Sequence, residues 1–181
     1  MATGGNTPMT DPSIPPAPAW LPTLLVILSG GGFTFETRTL LGHLREQANF
    51  TYIRTGYGGI PGQDGIPPGE ARDVPSFATV TRKSLRISLY AFAKTFLVAL
   101  SIILSRRIDA ILGLGCSHAI PMLLAGRLTG CRNIFIETIT RTYQLSNTGK
   151  IVYHLRLSDQ FFVQWPDLQA KYPRSSGGTI L

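Results

Sequence analysis

The sequence has little charge and almost no cysteine. Only 15% of its 181 residues are charged, and the 10 acidic residues are outnumbered by 17 Lys and Arg, for a formal net charge of +7. The two cysteines, Cys116 and Cys131, lack the number and spacing of a disulfide framework or a zinc site. We therefore expect a protein of a reducing, cytosolic-side compartment.

The chain also lacks the marks of a nucleic-acid-binding protein. No run of Lys and Arg exceeds two residues, and there is neither a zinc finger nor an aromatic–basic motif of the single-strand binders. The excess of positive charge then suits an anionic membrane or a phosphorylated ligand. The small share of charged residues further suggests that a partner or a lipid covers part of an apolar surface.

The length of the chain predicts a single domain. A chain of 181 residues, 44% of them hydrophobic, can bury one sizeable core but is too short for a two-domain catalytic unit. Residues 1–22 are rich in Pro, Gly, Ala and Thr and have neither the basic start nor the apolar core of a signal peptide. We predict a disordered leader over residues 1–22 and one domain over residues 23–181.

Short apolar runs alternate with helical patterns along the rest of the chain. This alternation predicts a doubly wound parallel sheet with helices on both faces, a Rossmann-like α/β fold. Residues 55–75, crowded with Gly and Pro, are predicted to form a long mobile loop. The predicted strands cover residues 24–28, 50–54, 77–81, 110–114, 133–137, 160–164 and 179–181, and the predicted helices cover residues 34–47, 84–105, 117–129, 149–157 and 167–172.

The turn after the first predicted strand contains three glycines, Gly30, Gly31 and Gly32. They let a ligand approach the backbone closely, and the helix that follows offers free N–H groups and a positive dipole end, which suit a phosphate. The turn has neither the ending of a P-loop nor the dinucleotide fingerprint, so it is either a phosphate or diphosphate site or a tight strand-to-helix turn. Thr34 is a candidate helix cap, and Glu36 either complements the helix dipole or accepts hydrogen bonds from a sugar.

Polar residues follow two later strands as well. Gly115, Ser117 and His118 lie at the carboxyl end of the strand predicted over 110–114, where α/β sheets bind ligands. His118 is a candidate base or diphosphate donor, or a structural residue. After the strand predicted over 133–137, Glu137 either forms an ion pair with Arg141 or binds sugar hydroxyls in a cleft.

The helix predicted over residues 84–105 is apolar almost all round. From residue 87 to residue 104 its only charge is Lys94, and basic residues flank it on both sides. Eighteen helical residues span about 27 Å, just short of a bilayer core. Basic ends and Lys94 favour a helix lying in an anionic membrane interface, and the alternatives are burial against the sheet or a partner, and a true span.

Several motifs of the C-terminal half resemble one family. Residues 136–141, 145–153, 159–168 and 172–173 are similar to the asparagine-linked glycosylation protein fourteen family and its bacterial exopolysaccharide relatives of the PssD type. The VQWP stretch and the TGK turn are the most specific motifs, and the glycine turn before Thr34 and Glu36 matches the family's GSGGHT.E pattern. The resemblance covers residues 24–181.

This resemblance implies the N-terminal half of a GT-B glycosyltransferase made as two polypeptides. The chain would be the acceptor-side subunit, peripheral or monotopic at the cytoplasmic face of a bacterial inner membrane or of the endoplasmic reticulum. It would bind a polyprenyl-diphosphate-linked acceptor, while a catalytic partner binds the UDP-sugar, of the UDP-GlcNAc or UDP-glucuronate type. The heterodimer would serve lipid-linked oligosaccharide or exopolysaccharide biosynthesis, and this chain would need no cofactor of its own and be inactive alone.

The predicted site combines these observations. Two features depart from the family pattern: Phe33 stands where the family has His after the glycines, and Ser117 replaces the second glycine of the later turn, with His118 a candidate replacement for the lost imidazole. Lys150, in the TGK turn, either contacts phosphate or is solvated. The candidates are Glu36 and Glu137 for catalysis, Gly30, Gly31, Gly32, Thr34, Gly115, Ser117, His118, Arg141 and Lys150 for the acceptor diphosphate, and Gln164, Trp165 and Pro166 for the partner interface, with no metal ligands.

Two other functional classes stay open. The chain could be a non-catalytic scaffold that tethers the catalytic partner to the membrane, in which case substitutions in the glycine turn would spare turnover. It could also be a free-standing nucleotide-binding domain, which would require tight binding of UDP or NAD by the isolated chain.

Overall fold

The computed structural model describes residues 20–77 and 82–180. Residues 1–19 of the predicted leader, and residues 78–81 of the strand predicted over 77–81, lie outside the described residues.

The described ranges contain seven parallel strands in one sheet. They are β1 (Thr23–Leu28), β2 (Asn49–Thr55), β3 (Glu70–Val74), β4 (Ala110–Leu114), β5 (Arg132–Ile136), β6 (Gln160–Val163) and β7 (Ser176–Gly177). Their order in the sheet is β3-β2-β1-β4-β5-β6-β7, so the chain reverses its direction across the sheet between β1 and β4. Such a reversal is the point at which doubly wound sheets bind ligands. The predicted Rossmann-like α/β fold is confirmed.

The central strand is covered on both faces. Leu25 and Ile27 of β1 belong to a buried apolar cluster that also includes side chains of α2 (Arg82–Ser105), α3 (Ala119–Thr129), α4 (Asn147–His154) and α5 (Pro166–Lys171). Val26 and Leu28 point to the other face, where they pack with Leu41 of α1 (Gly32–Leu44). Burial on both faces explains why parallel strands such as β1 are continuous apolar runs in the sequence.

Helix α2 confirms the predicted long helix and lies against α3. Only a narrow stripe of it is buried, formed by Ala91, Thr95, Ala99 and Ile102 at intervals of three or four residues. Residues 85–105 have a mean hydropathy of 2.0, so by length and composition alone this helix could cross a membrane. Only 22% of its apolar segment is buried inside the domain. The side of the helix that carries Leu85, Leu89, Leu97 and Leu104 is exposed.

Two predictions about the ends of the sheet are wrong. Residues 55–75 are not loop throughout, because Glu70–Val74 form the edge strand β3, which pairs with β2 and is held by the ion pair between Arg54 and Asp73 (Nε to Oδ1, 2.6 Å). The exposed edge position permits a polar strand, which has no apolar run to reveal it. Within the described residues the last strand is β7 at Ser176–Gly177, and residues 179–180 of the strand predicted over 179–181 lie outside it, while residue 181 is outside the described residues. Ser176 pairs with Phe162 directly after the turn that Ser175 closes on the Tyr172 carbonyl (2.6 Å).

Candidate functional site

The predicted site residues gather at the carboxyl edge of the sheet. The turns after β1, β4, β5 and β6 all emerge there, because the strands are parallel. Helix α1 follows the first of these turns and α4 follows the loop after β5. Side chains from one turn contact the backbone of the next, so the turns form one connected edge.

Glu36 connects the first helix to the turns after β5 and β6. Its side chain is only 4% exposed, and its carboxylate accepts hydrogen bonds from the Thr138 hydroxyl, from Ile139 N (3.1 Å) and from Gln164 Nε2 (3.3 Å). The interpretation of Glu36 as a residue that complements the helix dipole is wrong, because Glu36 lies beyond the first turn of α1. Its carboxylate is instead bound by three protein donors.

Glu137 is a second buried carboxylate and is only 1% exposed. It accepts hydrogen bonds from Thr138 N (3.0 Å), Ser146 N (2.9 Å) and Ser146 Oγ (3.0 Å). Burial raises the pKa of Glu137, and the hydrogen bonds from Thr138 and Ser146, together with the charge of Arg141, only partly oppose this. The predicted ion pair is wrong: in the described part of the chain, no salt bridge joins Glu137 to Arg141.

The partners of Glu137 explain the glycine of the TGK turn. Ser146 is the N-cap of α4, and its Oγ accepts a hydrogen bond from Gly149 N (2.9 Å) while donating to Glu137. A Cβ atom at Gly149 would overlap the Glu137 carboxylate. Glu137 therefore fixes the start of α4, and with it the position of Lys150, which is half-buried in the first turn of that helix.

The glycine turn leaves open space at its centre. Gly31 has φ +75° and ψ −148°, a conformation that only glycine adopts readily, and nothing lies within 4 Å of a Cβ atom built at Gly31 or Gly32. Gly30, by contrast, lies directly against Tyr57. The prediction that Thr34 caps α1 is wrong, because its hydroxyl donates to the Ser29 carbonyl (3.0 Å) and no side chain caps the helix.

The turn after β4 is closed on one side by Phe33. Gly115 has φ +44°, and a Cβ atom there would come within 2.7 Å of the Phe33 ring. Phe33 thus packs between the first and second turns. Ser117, two residues further along, is exposed.

His118 is held by residues that the sequence did not reveal. It is buried, its Nε2 lies 3.1 Å from the Pro75 carbonyl, and its ring contacts that of Phe77 with centroids 4.2 Å apart. Burial lowers the pKa of His118, which favours a neutral imidazole. These contacts support the structural interpretation of His118: it fixes residues 75–77 beside the second turn.

The remaining candidates lie near the end of β6. Gln164 was expected at the partner interface, but its amide also works within the domain, donating to the Glu137 carbonyl (2.9 Å) and to Glu36. Trp165 is 39% exposed and donates from Nε1 to the Ile139 carbonyl (2.7 Å), while Pro166 begins α5 and is exposed. Arg141 is exposed on the turn that Trp165 contacts.

Among the residues that the structure describes, there is neither a metal-binding group nor a disulfide bond. The described residues contain no group of three or more His, Cys, Asp or Glu side chains that could hold a metal ion. Cys116 and Cys131 are free thiols. Burial raises the pKa of Cys116 to about 11, so this thiol is protonated at neutral pH.

The sequence of the chain is similar to that of known proteins. The chain is 40% identical over 73 residues to the human UDP-N-acetylglucosamine transferase subunit ALG14, an alignment that covers 37% of this chain and a third (33%) of the relative. The protein of the same name from Yarrowia lipolytica is 26% identical over 178 residues, covering 88% of this chain and 81% of the relative.

The fold comparison agrees. The crystal structure of MurG from Acinetobacter baumannii superposes with a TM-score of 0.62 at 18% identity, over 81% of this chain and 42% of that chain. The chain therefore shares its fold with somewhat less than half of the MurG chain. The sequence profile described as "Oligosaccharide biosynthesis protein Alg14 like" matches residues 72–181, more than half of the chain. The chain belongs to this family of Alg14-like oligosaccharide biosynthesis proteins.

Proposed function

We propose that this chain is the acceptor-side subunit of a two-part glycosyltransferase that transfers a sugar, most consistently N-acetylglucosamine, from a UDP-sugar to a polyprenyl-diphosphate-linked acceptor. The observation that carries the proposal is one Rossmann-like domain, matching 42% of the MurG chain, with open space at its glycine turn. The names of the relatives, which describe a transferase subunit, support both the sugar and the need for a partner.

The acceptor diphosphate is proposed to bind at Gly31 and Gly32. The first N–H groups of α1 have no side-chain cap, and the space beside both glycines is open, so an anion can approach these donors and the positive end of the helix dipole. The exposed Arg141 lies in the turn after β5, and the half-buried Lys150 lies in the first turn of α4. Both would add positive charge to the same edge of the sheet.

Glu36 and Glu137 are proposed to act mainly by positioning. Each carboxylate is buried and already accepts three hydrogen bonds from the protein, which fix the turns after β5 and β6 and the start of α4. A direct contact with the sugar would require the surrounding groups to move, because both carboxylates are shielded from solvent. We therefore assign no proton transfer to either residue.

The exposed side of α2 is proposed to rest on an anionic membrane. Leu85, Leu89, Leu97 and Leu104 are all exposed on this helix, and Arg86 and Arg107 lie near its two ends. An apolar face with basic flanks suits the interface between headgroups and acyl chains. Binding there would bring the domain to the lipid-linked acceptor at the cytoplasmic face of the membrane.

The catalytic partner is proposed to dock near Trp165 and Pro166 and to bind the UDP-sugar. Both residues are exposed beside the turns that form the carboxyl edge. Tyr143 is also exposed, and its carbonyl accepts a hydrogen bond from the Lys171 ammonium at the end of α5 (3.4 Å). One domain can line only one side of a cleft that holds two substrates. No cofactor is assigned to this chain.

The proposal is tested by reconstituting turnover. The full chain, the nucleotide-sugar-binding partner, and the two together are each assayed with labelled UDP-N-acetylglucosamine and a polyprenyl-diphosphate-linked acceptor in vesicles. We expect labelled lipid only from the two chains together. Robust transfer by this chain alone would overturn the split-enzyme proposal, and turnover that survives blocking of the glycine turn would favour the scaffold instead.

A further inference from the structure

An open polar cavity lies at the edge of the sheet opposite the glycine turn. Its volume is about 360 Å³, and its walls include the side chains of Arg127, Arg156, Arg174 and Asp159. Arg127 lies in the last turn of α3, which leads to β5, while the other three residues lie in the connections from helices to β6 and β7. In a parallel sheet these connections lie at the amino edge.

The cavity carries an excess of positive charge. Three guanidinium groups face one carboxylate, that of Asp159. Asp159 lies 3.8 Å from Arg127 Nη1, and its other oxygen accepts a hydrogen bond from Asn133 N (2.7 Å). One negative charge against three positive charges leaves the wall with a formal excess of two positive charges.

Arg174 is held in place before any ligand arrives. Its Nη2 donates to the Tyr153 carbonyl (2.9 Å), and its guanidinium carbon lies 4.2 Å from the centre of the Tyr153 ring. A guanidinium has five N–H donors, so several stay available for an anion in the cavity. Fixing the group in advance reduces the entropy lost on binding.

Arg156 occupies a backbone position that normally belongs to glycine. It follows α4 with φ +51°, and the surrounding hydrogen bonds, Leu157 N to the Val152 carbonyl (3.0 Å) and Arg156 N to the Tyr153 carbonyl (3.3 Å), form a Schellman motif. A side chain is strained in this left-handed conformation. An arginine at this strained position contributes a guanidinium to the cavity wall, whereas a glycine would contribute no side chain.

We propose that this cavity binds a phosphate group. Guanidinium groups match phosphate oxygens with paired hydrogen bonds, and the half-buried Ser158 adds a hydroxyl to the wall. Leu128 and Leu155, each the sequence neighbour of a cavity arginine, are exposed. The phosphate could therefore belong to a lipid headgroup whose surroundings accept these leucines, or to a soluble molecule.

Arg156→Gly is the decisive variant, because it removes the guanidinium and relieves the backbone strain at once. The full chain and its variants are titrated with inorganic phosphate, against sodium chloride of equal ionic strength, by isothermal calorimetry. We expect saturable phosphate binding that is at least tenfold weaker in Arg156→Gly, with a melting temperature no lower than that of the unchanged chain. Arg45→Gln removes an exposed arginine at the end of α1 and should bind phosphate as the unchanged chain does.

A vesicle experiment distinguishes the two sources of phosphate. Sedimentation is compared on phosphatidylcholine vesicles with and without phosphatidic acid. If phosphatidic acid increases binding and Arg156→Gly removes that increase, the ligand is a lipid headgroup. If only the inorganic phosphate titration depends on Arg156, the ligand is soluble. If neither measurement distinguishes Arg156→Gly from Arg45→Gln, the proposal is overturned.

Discussion

Gln164 donates a hydrogen bond from Nε2 to the Glu36 carboxylate (3.3 Å), joining the first helix to the end of β6 across 128 residues of sequence. The same amide donates to the Glu137 carbonyl (2.9 Å). Glu36 also accepts from Ile139 N (3.1 Å). The three turns at the carboxyl edge are therefore held together by a small number of buried polar contacts.

Glu36→Gln is expected to lower stability before it affects chemistry. The new amide oxygen can still accept from Ile139 N and Gln164, with the N–H₂ group turned to the Thr138 hydroxyl, but the hydrogen bonds lose the strength that the charge gave them, which costs about 1 kcal/mol. Urea unfolding measures the loss. The exposed Glu46→Gln, near the end of the same helix, should change the free energy of unfolding by less than about 0.5 kcal/mol.

Turnover of the Glu36→Gln complex separates positioning from catalysis. If Glu36 only positions the turns, turnover measured well below the unfolding temperature should stay within tenfold of the unchanged complex. A larger fall at full occupancy of the folded state would show that Glu36 contacts the substrate, since tenfold corresponds to about 1.4 kcal/mol of barrier.

Glu137 is expected to give stability a distinctive pH dependence. Its ordinary pKa is 4.5, and burial raises the pKa in the folded chain, so the folded state holds this proton more tightly than the unfolded chain does. The contribution of Glu137 to stability therefore falls as the pH rises from 4.5 through the raised pKa. The free energy of unfolding of the unchanged chain and of Glu137→Gln is measured in urea from pH 4 to pH 7. The value for the unchanged chain minus that for Glu137→Gln should decrease as the pH rises. Parallel curves would contradict the expectation.

Membrane binding is expected to depend on the outer face of α2. Leu97 is 58% exposed there, and Leu97→Asp should reduce sedimentation with anionic vesicles severalfold while leaving urea unfolding nearly unchanged, because the side chain packs on little of the domain. Ile60→Asp places the same charge on an exposed residue of the loop after β2 and should sediment normally. Equal loss in both variants would point to general charge repulsion.

The basic flank of α2 should make this binding depend on salt. The Arg107 side chain is 92% exposed, and Arg107→Glu should weaken vesicle binding at low salt but have a smaller effect at 1 M salt, where the screening length is about 3 Å. Binding that salt and carbonate never reverse would instead favour a helix inserted across the bilayer.

The sequence predicts the central sheet well and its edges poorly. β1, β4 and β6 are apolar runs because both of their faces are covered, and their predicted positions agree with the structure to within two residues. β3 carries the sequence EARDV, and its pairing depends on β2 and on the ion pair of Asp73 with Arg54. No local pattern encodes such a contact between elements.

The candidate site shows the same division. The glycine turn before Glu36 and the strand end at Glu137 mark both residues as candidates in the sequence, but their donors Thr138 and Ser146 can be recognised only from the tertiary structure. Gly149 belongs to a recognisable motif, whereas the reason for a glycine there, the nearby Glu137 carboxylate, is a contact between α4 and the turn after β5. The sequence thus located the polar residues without revealing which of them satisfy one another.

The proposed acceptor site is tested most directly at Gly32. Its φ lies outside the left-handed region and a Cβ atom there meets nothing within 4 Å, so Gly32→Ala and Gly32→Val should fold normally. Gly42, further along α1, also has open space at its Cβ, and Gly42→Ala should stabilise the helix by about 0.5–1 kcal/mol without changing turnover.

If a diphosphate approaches the first N–H groups of α1, a branched side chain at Gly32 blocks its path. Turnover of the reconstituted complex should then fall slightly in Gly32→Ala and at least tenfold in Gly32→Val, mainly through a higher KM for the lipid-linked acceptor, while KM for the UDP-sugar stays the same. Co-purification with the partner should persist, because the glycine turn is not placed at the docking surface. Turnover in Gly32→Val equal to that of Gly42→Ala would show that the acceptor binds elsewhere.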